Sequence, residues 1–261
     1  MKTKPKILIT NDDGIDAPGI RHLWNALKDH ADLTVVAPSH EQSATGLSIT
    51  IRQPLHIRKV EWSEGGNAWS VSGTPADCVK LALNVVLSGP PDLIVSGINR
   101  GSNAGRNVFY SGTVAGAIEG VMHDIPSIAF SCQEFKNPNF LLVESYVPSI
   151  VDYVLTNPMP KGTLLNVNFP KLDNGAIKGF RMTRQGQEFW IENPDMRTHP
   201  LEGSAYYWLG AKLAEFDEHE DSDITWLKKG YLTAVPVHVG ELTDHVHLSA
   251  SKNAFERLLA R

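Results

Sequence analysis

Lys6-Ile7-Leu8-Ile9-Thr10-Asn11-Asp12-Asp13-Gly14 decides how the rest of this 261-residue chain is read. Its first five residues form a compact run rich in apolar and β-branched side chains, and its last four are turn formers. The stretch therefore reads as a buried strand that ends in a polar turn. Pro18 to Asp29 follows, with Ile20, Leu23, Trp24 and Leu27 at helical spacing and a proline in the first turn. Leu33 to Ala37 is a second buried strand, closed by Pro38. Strand, helix and strand with short joins make a βαβ unit, which implies a parallel sheet.

The rhythm breaks between Leu47 and Val71. Ile49, Ile51, Leu55, Ile57 and Val60 alternate roughly, Gly65-Gly66 marks a turn, and Trp69-Ser70-Val71 follows. This predicts strands and a β-hairpin inserted on the unit. The α/β alternation then resumes: a helix over Pro75 to Leu87, a strand over Asp92 to Ser96, and a helix of small residues over Gly112 to His123. After these come a strand over Pro126 to Ser131, a helix over Phe140 to Leu155 and a strand over Leu164 to Val167. The expected fold class is α/β, a doubly wound and mostly parallel sheet.

From about Gly179 the composition shifts to aromatics and charges, with Phe189-Trp190, Tyr206-Tyr207-Trp208 and an acidic run from Glu215 to Asp223. Residues 1–178 are expected to form the core and 179–261 a C-terminal extension. The acidic run reads as a solvated loop, and the aromatics point to packing on a second subunit. His245 and His247 alternate along an expected strand, but two ligands do not close a metal site.

Composition narrows the function. Hydrophobic residues make up 42% and charged residues 20%, an ordinary globular balance. Lys and Arg number 24 against 29 Asp and Glu, a net charge of -5. That sign disfavours a grip on long nucleic acid, which is held mainly by basic residues. Cys78 and Cys132 both lie in apolar stretches, as buried thiols of a reducing, cytoplasmic compartment would. Neither a signal segment nor an apolar run of the ~20 residues that span a membrane is expected.

In a doubly wound sheet, ligands bind beyond the carboxyl ends of the strands. Asn11, Asp12 and Asp13 fall there after the first strand, and Ser39 to Ser43 after the second. Asn99, Arg100, Ser102 and Asn103 follow the Asp92–Ser96 strand, and Ser111-Gly112-Thr113 opens a helix. Adjacent carboxylates at a strand end repel one another, so a compensating cation is expected. Aspartates, a serine hydroxyl and an asparagine carbonyl suit a hard divalent ion: Mg²⁺ or Mn²⁺, with Ca²⁺ able to take the same seat. Ser111 to Thr113 offer free N–H groups at a helix start, a seat for an anion. Both features have plainer readings, a polar turn and an ordinary N-cap. Gly97 to Gly105 has neither the Lys-Ser/Thr of a P-loop nor the position of a dinucleotide fingerprint. His40 is expected at the surface.

Taken together these segments resemble the SurE family of survival-protein nucleotidases. The match is carried by Ile7 to Gly14, Val36-Ala37-Pro38, Gln42 to Gly46, Gly73 to Val79, Val95 to Gly101 and Tyr110 to Val114. In the extension it is carried by Thr183-Arg184-Gln185 and Tyr206-Tyr207-Trp208. The resemblance implies a Rossmann-like core whose extension reaches another subunit of a homodimer or tetramer. It implies one divalent cation at Asp12, Asp13, Ser43 and Asn99, with Asn11, Asn103, Ser111, Gly112 and Thr113 on the phosphate side. It implies a 5′-nucleotidase of acid-phosphatase-like chemistry acting on small phosphomonoesters: nucleoside 5′- and 3′-monophosphates, and short polyphosphate in some members. Either Asp12 or Asp13 is expected to take the proton of the attacking water, with an aspartyl-phosphate course left open.

Two other classes compete. A receiver-like phosphoacceptor domain shares the paired acids but needs a further Asp at the end of a central strand. A non-catalytic phosphate-binding protein would share the site without turnover.

Overall fold

The computed structural model describes residues 4–62, 65–172, 176–210 and 212–259. The chain opens with β1 (Lys6–Thr10), α1 (Pro18–Leu27) and β2 (Asp32–Pro38). The hairpin β3 (Ile57–Val60) and β4 (Asn67–Val71) follows, then α2 (Pro75–Leu81) and β5 (Leu93–Arg100). Next come α3 (Gly112–Met122), β6 (Ser127–Cys132), α4 (Phe140–Thr156) and β7 (Thr163–Phe169). The C-terminal part holds β8 (Phe180–Met182), β9 (Phe189–Ile191), β10 (Asp195–Thr198), β11 (Ala205–Trp208) and β12 (Lys212–Ala214). It ends with α5 (Asp223–Lys228), β13 (Leu232–His238) and α6 (His245–Glu256).

Nine strands form the main sheet in the order β3-β4-β2-β1-β5-β6-β7-β13-β8. From β4 to β7 every neighbour is parallel, while β3 runs antiparallel to β4 and β13 antiparallel to β7 but parallel to β8. The α/β expectation therefore holds. Ile7 and Ile9 face one cluster with Leu23, Leu27, Val143 and Val147, and Leu8 faces another with Cys78 and Val79. Both faces of β1 are thus covered, by α1 on one side, with α4 packed against α1, and by α2 on the other, which is why its sequence is a continuous apolar run.

Four local expectations need correction. Between residues 47 and 56 there is no strand: the Thr50 N–H, which a neighbouring strand would otherwise use, donates to Asp77 Oδ1 at 2.9 Å. The helix beginning at Pro75 widens to a π-type turn over Ala82–Val86. His245 and His247 lie in α6, capped by Asp244, which accepts from the His247 N–H at 2.9 Å. The acidic run is only partly solvated, because Ser222 and Asp223 have no exposed surface. The sheet also continues past residue 178 through β13 and β8.

Candidate active site

β1 is the strand at which the sheet order reverses, with β2 on one side and β5 on the other. Helices leave such a point on opposite faces, so a crevice opens beyond its carboxyl end. Asn11-Asp12-Asp13-Gly14 sits in it. Asn11 closes this turn on itself: its Nδ2 donates to Gly14 O at 2.8 Å and its Oδ1 accepts from the Gly14 N–H at 3.2 Å. Its side chain shapes the turn, and the two carboxylates face outward from it.

Three other segments are tied to that turn. The Gln42 N–H donates to Asp12 O at 2.7 Å, which docks the loop carrying Ser43. The Arg100 N–H donates to Asp13 Oδ2 at 3.3 Å, which docks the end of β5 beside Asn99. Thr113 Oγ1 donates to Asp12 Oδ1 at 2.5 Å, which docks the start of α3. Gly112 leaves no room for a larger residue, since a Cβ there would lie 2.7 Å from Asp12 Cβ. Ser111 caps α3, its Oγ accepting from the Val114 N–H at 3.1 Å, so the N-cap reading is correct. Asp12 itself takes the hydroxyl and backbone N–H of Thr113 and occupies part of the anion seat.

The electrostatics are those of a cluster short of positive charge. Burial raises the Asp12 carboxyl to about 7, and the neighbouring Asp13 pushes the same way against the Thr113 hydrogen bonds. Asp13 is also raised, by burial first, with the Arg100 N–H and guanidinium opposing. The Arg100 guanidinium lies 4.9 Å over the Phe135 ring and 3.9 Å from Glu41, so its charge is shared. Ser43 is exposed and donates to Glu41 Oε1 at 2.6 Å. Asn99 Nδ2 donates to Gly101 O at 2.9 Å, which leaves its carbonyl oxygen as the free end. The donor set is all oxygen, with two carboxylates, and it fits a hard cation. Among the described residues there is no group of three or more His, Cys, Asp and Glu placed to hold a metal.

Asn103 is buried one segment away, held by the ends of β6 and β7. The sequence reading missed the residues that hold it, Asn166 and Asn168. Their signal is two asparagines at alternate positions in Thr163-Leu164-Leu165-Asn166-Val167-Asn168-Phe169, a strand buried along its whole length. His40 is exposed, bonded to Ser39 Oγ at 2.9 Å.

Residues 7–192 match the family described as Survival protein SurE. The chain is 63% identical to "5'-nucleotidase SurE" of Protochlamydia amoebophila over 98% of both chains. It is 46% identical to the protein of the same name from Christiangramia forsetii over 94% of both. A crystal structure of the SurE protein from Aquifex aeolicus superposes with a TM-score of 0.82 at 38% identity, covering 96% of this chain and all of that one. Nothing in these likenesses supports a phosphoacceptor domain. The ends of β5 and β6 likewise carry Asn99-Arg100 and Ser131-Cys132 where such a domain needs an Asp.

Proposed function

Because the chain belongs to the SurE family, we propose that it is a divalent-metal-dependent phosphomonoesterase that hydrolyses nucleoside monophosphates to nucleoside and phosphate. The observation that carries this reading is the buried Asp12 beside Asp13 at the strand-order reversal, an acidic pair that Arg100 and the Thr113 hydrogen bonds balance only in part.

In this reading Asp12, Asp13, Ser43 and Asn99 hold the cation, Mg²⁺ or Mn²⁺. Bound there, such an ion would supply positive charge against the phosphate oxygens and would lower the pKa of a water, making hydroxide available as the nucleophile. The chain's own groups do the rest. Thr113 pins Asp12, fixing which carboxylate oxygen is free. The Ser111 hydroxyl hydrogen and the Gly112 N–H at the positive end of α3 face charge that develops on the phosphoryl group. Asn103 adds an amide to the same anion, and one of the two aspartates takes the water's proton.

We further infer a homo-oligomer, dimer or tetramer, built through the extension. None of α6 is buried, and Tyr207 and Trp208 on β11 are 64% and 65% exposed, a density of apolar surface that a lone chain would leave wet. The free, buried Cys78 and Cys132 suit a reducing cytoplasm. No helix among the described residues is long and apolar enough to cross a membrane.

The test is phosphate release from 5′- and 3′-nucleoside monophosphates and short polyphosphate, with Mg²⁺ or Mn²⁺ and after chelation. Metal-dependent turnover of a nucleotide supports the reading. Binding without turnover, or a single stoichiometric labelling of the protein, refutes it.

A further inference from the structure

The segment that carries Asn103 has almost no freedom. The Asn103 N–H donates to Asn168 Oδ1 at 2.8 Å, its carbonyl accepts from Asn166 Nδ2 at 2.9 Å, and its Nδ2 donates to Ser131 Oγ at 2.8 Å. Ser102 Oγ donates to the same Asn168 Oδ1 at 3.2 Å and accepts from the Ala104 N–H at 3.2 Å. Two residues on, the Gly105 N–H donates to Asp223 Oδ2 at 3.0 Å. The other oxygen of Asp223 accepts from the Gly186 and Ile224 N–H groups, each at 2.8 Å. Gln185 Nε2 caps the Gly105 carbonyl. Gly105 adopts φ +59, and a Cβ there would meet Glu188 O at 2.2 Å.

Ser131, Asn166, Asn168 and Asp223 have no exposed surface at all. Packing alone does not ask for four buried polar side chains, since each costs free energy unless paired, and apolar residues would fill the same strand positions. Asn166 and Asn168 share one face of β7, and both turn to the same short segment. That segment begins where Asn99 donates to Gly101 O and ends in the 3₁₀ turn Gly105–Phe109, just ahead of Ser111. Holding it therefore fixes Asn103 in its middle.

We propose that Asn166, Asn168 and Asp223 are positioning residues of the phosphatase site. They clamp Gly101 to Gly105 from two sides, β7 and α5, so that Asn103 meets the phosphoryl group at a fixed angle. The clamp makes the chain beyond residue 179 part of the active-site frame, because Asp223 belongs to α5. This inference rests on the reading of Asn103 as a phosphate-side residue.

The experiment is steady-state kinetics of the Mn²⁺-loaded protein on a nucleoside monophosphate, with thermal melting, for N103A, N168L, D223N and the double variant N103A/N168L. Asn168→Leu keeps the branching and heavy-atom count of the side chain and removes its three hydrogen bonds, with the Asn103 N–H, Ser102 Oγ and Asn166 Oδ1. Asp223→Asn turns an NH₂ toward either the Gly105 or the Gly186 N–H, where an acceptor is needed. We expect N168L and D223N each to lose about tenfold to a hundredfold in kcat/KM, the scale of a displaced substrate-positioning group. The double variant should be no worse than N103A, because a residue that acts through Asn103 has nothing left to position. Wild-type kcat and KM in N168L and D223N, with only a lower melting temperature, would overturn the proposal, as would losses that multiply in the double variant. Wild-type kinetics in N103A would instead overturn the reading of Asn103 itself. Should N168L fail to fold, Asn166→Ala, which removes the donor to the Asn103 carbonyl, carries the same cycle.

Discussion

Thr113 Oγ1 donates to Asp12 Oδ1, and that contact helps to join the first turn of α3 to the end of β1. It lowers the charge cost of a carboxylate that burial would otherwise keep protonated. A hydrogen bond to a charged group contributes about 1.5–3 kcal/mol, so Thr113→Val should weaken metal binding by roughly tenfold or more. The loss should be larger at pH 6 than at pH 8, since the proton competes better when Asp12 has lost its donor. Titration calorimetry with Mn²⁺ at the two pH values measures this. An unchanged affinity at both would mean that Asp12 is not where the cation sits.

The same carboxyl makes the metal-free protein sensitive to pH in an unusual direction. Its folded value of about 7 lies above the ordinary carboxyl value of 3.8. Between those two values the unfolded chain has released the proton while the folded chain keeps it. The folded state then binds more protons, and stability falls as pH rises, by an amount on the order of a few kcal/mol before it levels off above pH 7. Asp13 and Asp223, both raised chiefly by burial, add in the same sense. Thermal melts of chelator-treated protein from pH 4 to pH 8 should show a declining melting temperature. Asp12→Asn should flatten that decline, melt higher than wild type at pH 8 and have no activity. Full turnover in this variant would remove Asp12 from the site.

How far the sequence reveals this site depends on whether a residue's role is local. The strand-turn Lys6–Gly14 is legible because β-branching, length and turn chemistry all sit within nine residues. The segments at the ends of β2 and β5 are legible once the sheet is recognised, because strand ends share one edge. Thr50 is illegible: its backbone partner is Asp77, 27 residues on, and without that contact the alternation from Ile49 to Ile57 does look like a strand. The helix at His245 is illegible for a different reason. It buries nothing, so no apolar face imposes a period of 3.6, and a short two-residue alternation stands out instead. Asn166 and Asn168 are visible as an oddity in an apolar strand, but what they hold lies some 60 residues earlier, which only the fold reveals.

The extension divides into a part that the sheet needs and a part that it does not. β13 pairs with β7 over six residues and α5 supplies Asp223, whereas α6 contains no buried residue. Ending the chain after Glu241 should leave the sheet intact but change the sedimenting mass of the oligomer. Ending it after Gly179 should also lower the melting temperature sharply, since an edge of the main sheet and the Asp223 clamp go with it. Analytical ultracentrifugation and melting curves of the two truncations separate these effects. A full-length protein that sediments as a monomer at micromolar concentration would show that no subunit covers the exposed aromatics.

The cation, and not a basic groove, should supply most of the grip on substrate. The net charge is -5, and the Arg nearest the aspartates, Arg100, already lies over Phe135 and close to Glu41. A polynucleotide channel needs Lys and Arg along its length, with aromatic side chains for the bases to stack on. Here the polar groups converge on one crevice at the end of β1, which suits a single terminal phosphate. Removal of metal with EDTA should therefore abolish both turnover and nucleotide binding. Mg²⁺ or Mn²⁺ should restore them, since the donor set is oxygen alone. Duplex DNA should show no binding at physiological salt, with or without metal. Undiminished hydrolysis after thorough chelation would place the chemistry elsewhere in the molecule. Tight, salt-sensitive retention of DNA in a gel-shift assay would overturn the substrate class even with the metal site intact, because the affinity would then have to come from a basic surface that this chain does not concentrate anywhere along its sequence.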